Sequence, residues 1–127
     1  MFEALSTVFL IGRDLEASRR FYSGTLGLEE ASAADDHVRY KVGEVFLVVH
    51  APIAAEEMRA WSLEPVADPR GAGVVLTLRA EDVDAAYARL CERGADILFP
   101  PRDAPWGVRL FMVRDPSGFL IEVSRPI

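Results

Sequence analysis

Apolar and polar positions change their period twice along the chain, in the same order each time. From Thr7, TVFLI is a short apolar run of strand type. Asp14 then precedes a stretch in which Leu15, Ser18, Tyr22 and Leu26 recur at helical spacing, and Gly27 closes it. From Val75, VLTLR is again strand-like. Asp82 precedes a helical face of Val83, Ala86, Tyr87 and Leu90, and Gly94 closes that segment. Both aspartates suit an N-cap, because a carboxylate accepts from the free amides of the first turn. HVRYKV and GEVFLVVH supply later strands of the first half, and VRLFMV and FLIEVS those of the second.

Each half therefore reads as strand–helix–strand–strand–strand, which predicts an α+β fold of two βαβββ modules. Module one covers about 4–52, a connecting segment about 53–72, and module two about 73–126. An offset of 68 residues carries Thr7 onto Val75 and Asp14 onto Asp82. A second offset, of 75, carries Gly43 onto Gly118 and Leu47 onto Glu122. The connecting segment has a short helical piece around Glu56–Trp61 and then becomes rich in Pro and Gly, as a linker or lid is.

A chain of 127 residues is one domain by length and can bury a core without staples. Fourteen basic and twenty acidic residues give a net charge of −6, which argues against nucleic acid as a partner. The single cysteine, Cys91, allows no disulfide within the chain, and a reducing, cytoplasmic setting fits. It follows Leu90 on a predicted helix and reads as a packing residue. The start, MFEALSTVFLIGRDLE, does not read as a secretory signal. No apolar run approaches the ~18 residues that a membrane span needs, so no membrane partner is expected.

The stretches RDLEASRRFYSGTLGLE, EDVDAAYARLCERGADI and PWGVRLFMVRDPSGFLIEV, spread over almost the whole chain, resemble the vicinal oxygen chelate superfamily. That group includes glyoxalase I, extradiol dioxygenases, fosfomycin-resistance enzymes and bleomycin-type resistance proteins. The resemblance implies two modules whose sheets curl around a cavity, and a homodimer. It also implies a metal-ligand place on the first strand of each half, seven residues before the cap aspartate, and another on each last strand. Carried onto this chain, those places read Thr7, Leu47, Val75 and Glu122.

Valine and leucine have no donor atom, and a threonine hydroxyl is a poor ligand for a transition metal. Zinc and non-haem iron need about three nitrogen, sulfur or carboxylate ligands. The expectation is a protein with no metal and no other cofactor at these positions. The two histidines, His37 and His50, match none of them and read as exposed or loop side chains.

Strand alternation puts Leu120, Glu122 and Ser124 on one face, with Ile121 and Val123 under the helices. Glu122 then faces the cavity. It is a relic of a metal-binding ancestor, a polar anchor, or a general base, which is the one candidate catalytic role. Arg79 or Arg109 would supply its partner charge. Phe9 shares the face of Thr7, and Phe111 that of Arg109. Trp106 lies in a PWG stretch like one in bleomycin-type resistance proteins, where the resemblance implies stacking on a drug; otherwise it seals the end of the barrel. Trp61 and Met58 cover the pocket or pack their helix on the core.

The candidate ligand-binding set is thus Thr7, Phe9, Leu47, Val75, Arg79, Trp106, Arg109, Phe111 and Glu122. Two functions of different class fit it. One is a metal-free binding protein for a small molecule, such as an antibiotic-like aromatic compound. The other is a metal-independent isomerase, cyclase or lyase using Glu122 as base. A metal-dependent glyoxalase or dioxygenase fits the donors poorly. A fold relic that acts on partner proteins through its surface is a further reading.

Overall fold

Both cap aspartates start helices. In a computed structural model that describes residues 1–127, Asp14 Oδ1 accepts from Ala17 N at 3.1 Å and Asp82 Oδ1 accepts from Ala85 N at 3.0 Å. Each carboxylate satisfies an amide that has no partner within its helix. The chain divides into two units, Met1–Asp68 and Pro69–Ile127. No helix is long and apolar enough to cross a membrane.

The first unit runs β1 (Thr7–Ile11), α1 (Leu15–Arg19), β2 (Glu29–Ala33), β3 (His37–Val42), β4 (Val45–His50) and α2 (Ala55–Ala60). Helix α1 loosens into a π-helical turn over Arg20–Thr25. The four strands lie in the order β1-β4-β3-β2. Only β1 and β4 are parallel; the other pairs are antiparallel. One face of this sheet carries Leu10, Val38, Tyr40, Leu47 and Val49, all buried. Tyr22 packs there, its ring centroid 5.9 Å from that of Tyr40. The phenol of Tyr40 shares a 2.8 Å hydrogen bond with the Ser23 hydroxyl, and burial pushes its pKa up.

The second unit runs β5 (Val75–Arg79), α3 (Val83–Glu92), β6 (Asp96–Asp103), β7 (Val108–Arg114) and β8 (Leu120–Pro126). Its strand order, β5-β8-β7-β6, repeats that of the first unit, again with one parallel pair. Phe111, Val113, Ile121 and Val123 are buried together with Val83 and Leu90 of α3. Tyr87 meets Phe111 edge-on at 5.4 Å. The predicted α+β plan of two βαβββ modules is therefore what the chain adopts.

The two central hairpins turn differently. Gly43 and Glu44 form a two-residue turn between β3 and β4, with Gly43 at φ +60°. The β7–β8 connection is longer and is organised by a buried side chain. Asp115 Oδ1 accepts from Ser117 N and from Phe119 N, both at 2.8 Å, and Gly118 takes φ +98°. The edge strands β2 and β6 both carry register shifts.

Two side chains depart from the sequence reading. Helix α2 ends at Ala60, and Trp61 beyond it is 76% exposed while Met58 is buried. A six-residue helix buries one position of its inner face, and Trp61 falls past its end. Cys91 is exposed rather than packed, because it follows the inward-facing Leu90 by one position.

Strand β2 is tied to the first helix by charge. Arg19 makes two hydrogen bonds to Glu30, at 2.9 and 2.6 Å, and the Ser23 hydroxyl donates to the same carboxylate at 2.5 Å. The Arg19 bonds, then that of Ser23, hold the Glu30 carboxyl down at about 2, against an ordinary 4.5. A depressed carboxylate stabilises the fold fully above the ordinary value and loses that contribution as pH falls toward the folded one. The wild-type melting temperature should therefore drop more between pH 4.5 and 2 than that of Glu30→Gln. Parallel pH curves would refute this.

Candidate functional site

Strand register decides which side chains can share a face. In the second sheet the pairs are Val75↔Leu120, Thr77↔Glu122 and Arg79↔Ser124. On the other side of β8, Met112 stands opposite Glu122. Cross-strand partners point the same way. Val75, Thr77, Arg79, Met112 and Glu122 therefore occupy one face, away from the buried residues that meet α3. Glu122 is half-buried there, between Thr77 and Met112. Val75 is 45% exposed. The expected placement of Glu122 opposite Ile121 and Val123 holds, since both of those are in the core.

Two expected members of this face lie on the other one. Phe111 pairs with Val123 and Arg109 with Arg125, so both point to the helix side. Phe111 is completely buried against Tyr87. Arg109 donates to both carboxylate oxygens of Asp84 at 2.9 and 2.8 Å, and to Asp103 at 3.0 Å. Those two acids raise the guanidinium pKa further. Arg109 is a brace between β7, β6 and α3, so it cannot serve as the counter-charge of Glu122. The error is one of parity: Met112, not Phe111, is the cross-strand neighbour of Glu122.

In the first sheet the parallel pairs are Thr7↔Phe46, Val8↔Leu47 and Phe9↔Val48. Thr7, Phe9, Phe46, Val48 and His50 share the open face. Leu47 faces the helix and is 6% exposed. The position that corresponds to Glu122 is thus Val48, since Thr7 and Val75 pair with Phe46 and Leu120, each two residues before it. The expected Leu47 was displaced by one residue because Gly43 and Gly118 occupy different places in their turns. The corrected set reads Thr7, Val48, Val75 and Glu122. Of these positions only Glu122 carries a nitrogen, sulfur or carboxylate donor, where a transition-metal site needs about three.

Phe9 is 53% exposed and stacks on His50, with ring centroids 5.4 Å apart. Arg39 lies over the ring of Phe46 at 3.5 Å. Trp106 is 73% exposed in the turn before β7, where Gly107 N donates to Ala104 O. That turn leaves a flat aromatic surface unburied.

The sequence reading missed one cluster. His37 stands directly opposite His50 across β3 and β4, and Asp36 joins them. His37 Nδ1 lies 2.8 Å from Asp36 Oδ1, and His50 Nε2 3.4 Å from Asp36 Oδ2. The hydrogen bond from His37, more than the nearby ring charges, holds the Asp36 carboxyl below its usual range. The signal was available. The Gly43–Glu44 turn sets Val42 against Val45, and five steps outward the partners are His37 and His50. A separate cleft of about 430 Å³ opens at the start of α3, lined by Glu81, Asp82, Asp84, Asp103, Arg109 and Arg125 among others. Acids dominate it, and Arg109 is already paired within it.

A family model described as the Glyoxalase/Bleomycin resistance protein/Dioxygenase superfamily matches residues 4–123. Among solved structures, a glyoxalase/bleomycin resistance protein/dioxygenase from Nocardioides is 26% identical with a TM-score of 0.82, covering 100% of this chain and 85% of that one. Lactoylglutathione lyase from Agrobacterium tumefaciens is 24% identical with a TM-score of 0.77, covering 98% and 94%. TioX from Micromonospora sp. ML1 is 22% identical with a TM-score of 0.74, covering 98% and 100%. No curated protein matches the sequence.

The register makes a direct prediction. Leu47→Ala should cost about 2–5 kcal/mol in urea unfolding, because Leu47 fills the core. Glu122→Gln should leave stability within about 1 kcal/mol, as expected of a half-buried polar swap outside the core. Equal effects would place both residues on the same kind of face and refute the assignment.

Proposed function

Because this chain belongs to the Glyoxalase/Bleomycin resistance protein/Dioxygenase superfamily, we propose that it binds a small organic molecule without a metal at the superfamily's ligand positions. The observation that carries this reading is the donor set at those positions: Thr7, Val48, Val75 and Glu122. Valine at two of them turns a ligating surface into an apolar wall. A face with apolar walls and few polar groups has the usual composition of a small-molecule site. On the second sheet's open face, Val75 and Met112 supply contact area, Thr77 a hydroxyl, and Glu122 and Arg79 opposite charges. An aromatic or antibiotic-like compound carrying a cationic or hydrogen-bonding group fits this chemistry, and sequestration is the role we assign.

Trp106 offers such a ligand a stacking surface, worth about 0.5–1.5 kcal/mol beyond area burial. Thr7 and Phe9 are candidate contacts on the first sheet's own open face. Sequence and exposure also support a homodimer, because Phe9, Val75 and Trp106 leave large apolar surfaces uncovered. Sedimentation of a monomer at micromolar concentration would refute that assembly.

A second reading rests on Glu122 itself. A carboxylate set between Thr77 and Met112 on a sheet face is placed to take a proton from a bound substrate. The protein would then be a metal-independent isomerase, cyclase or lyase. Fluorescence titration of Trp61 and Trp106 with an aromatic compound, run beside turnover of the same compound, separates the two. Binding without turnover supports sequestration, and turnover abolished by Glu122→Gln supports catalysis. In either case Trp106→Ala should weaken binding about tenfold or more, counting lost area. Unchanged affinity in that variant would remove Trp106 from the site.

A further inference from the structure

The end of the first sheet's open face carries a set of donors unrelated to the superfamily positions. His37 begins β3, His50 ends β4, and the two are direct cross-strand partners. Asp36 immediately precedes β3. One donor atom from each of the three lies within 4.8 Å of the others. The imidazole planes are nearly parallel, at 6°, with centroids 6.1 Å apart. The backbone fixes this arrangement from below: Ala51 N donates to Asp36 O at 2.8 Å, and Ala34 N to His37 O at 2.9 Å.

The orientation of His50 is set by two contacts. Phe9 stacks on its ring. Its Nδ1 lies 2.7 Å from the carbonyl oxygen of Ala51. A carbonyl only accepts, so Nδ1 carries the ring proton, and Nε2 of the neutral imidazole carries a lone pair. Nε2 lies 3.4 Å from Asp36 Oδ2. Two acceptors facing each other are stabilised by a cation between them. A backbone carbonyl on the far nitrogen is also the outer partner that commonly orients a metal-binding histidine.

We propose that Asp36, His37 and His50 form a binding site for a divalent transition-metal ion of the zinc class. Two imidazoles and one carboxylate suit zinc, cobalt or nickel, whereas magnesium and calcium favour oxygen ligands. Metal–ligand bonds of about 2.0–2.2 Å set neighbouring donors about 2.9–3.4 Å apart in octahedral or tetrahedral sites. The contacts to the two oxygens of Asp36, 2.8 Å to Oδ1 and 3.4 Å to Oδ2, are close to that spacing, and all three donors lie within 4.8 Å of one another. The remaining closure falls to exposed groups, since the side chains of Asp36 and His37 are 63% and 35% exposed against 17% for His50. Three protein ligands leave further positions to water or to an oxygen donor. The inference is independent of the proposed function, because none of the three residues occupies a superfamily position.

The test titrates zinc alone into the full chain by calorimetry and follows cobalt(II) by its visible absorption. One ion per chain is expected. His37→Ala and His50→Ala should each lower affinity by more than about tenfold, since outer-shell partners alone are worth about 10–100-fold. Glu122→Gln should leave affinity unchanged. In the wild-type protein, zinc should shift the ring-nitrogen resonances of both His37 and His50, a readout that needs no variant to fold. Absence of stoichiometric binding, unshifted ring nitrogens, binding that survives in the His37→Ala/His50→Ala double variant, or binding lost in Glu122→Gln would each overturn the site.

Discussion

Each sheet depends on the parallel pairing of its first strand with its last. This is the one contact in each module that no hairpin can make, because a crossover with a helix must intervene. Pairing β1 with β4 and β5 with β8 places the helix on one face and leaves the other open. The strand residues assigned to function here lie on an open face, and the core residues Leu47 and Phe111 lie on the helix face. A shift of one residue in either pair would exchange the two sets.

That constraint explains what could be read from the sequence. The cap aspartates, the helical faces and the duplicated plan were legible because they depend on local chemistry and on short periods. Glu122 was placed correctly because Ile121 and Val123 flank it with the core pattern. Leu47 was not, since aligning Gly43 with Gly118 assumed that both glycines hold the same place in a turn. One opens a two-residue turn and the other follows an aspartate-organised loop. Phe111 and Arg109 were misplaced through the pairing of β7 with β8, where parity depends on the length of that loop. Such information resides in turn geometry rather than in the hydrophobic pattern.

Charge is also distributed by face. Arg19 joins the last turn of α1 to the edge strand β2, and Arg109 joins the central strand β7 to the first turn of α3, each through acidic partners. Both pairs are at the surface, so their energetic weight is modest. Their effect is to orient helix against sheet. Arg39, in contrast, lies on the open face over Phe46, where its charge is presented beside an aromatic ring.

The bulges in β2 and β6 bear on how this chain can change its length. A residue inserted into a central strand reverses every side chain beyond it, so β3, β4, β7 and β8 tolerate no such event without exchanging core for surface. An edge strand has a neighbour on one side only, and a bulge absorbs the extra residue locally. The register shifts between Glu30 and Ser32 and between Phe99 and Arg102 are of that kind. Insertions and deletions can therefore be absorbed along the bulged edge strands β2 and β6 while the inner four strands keep their count, so the outline of each sheet can vary at that edge without exchanging the side chains of its two faces.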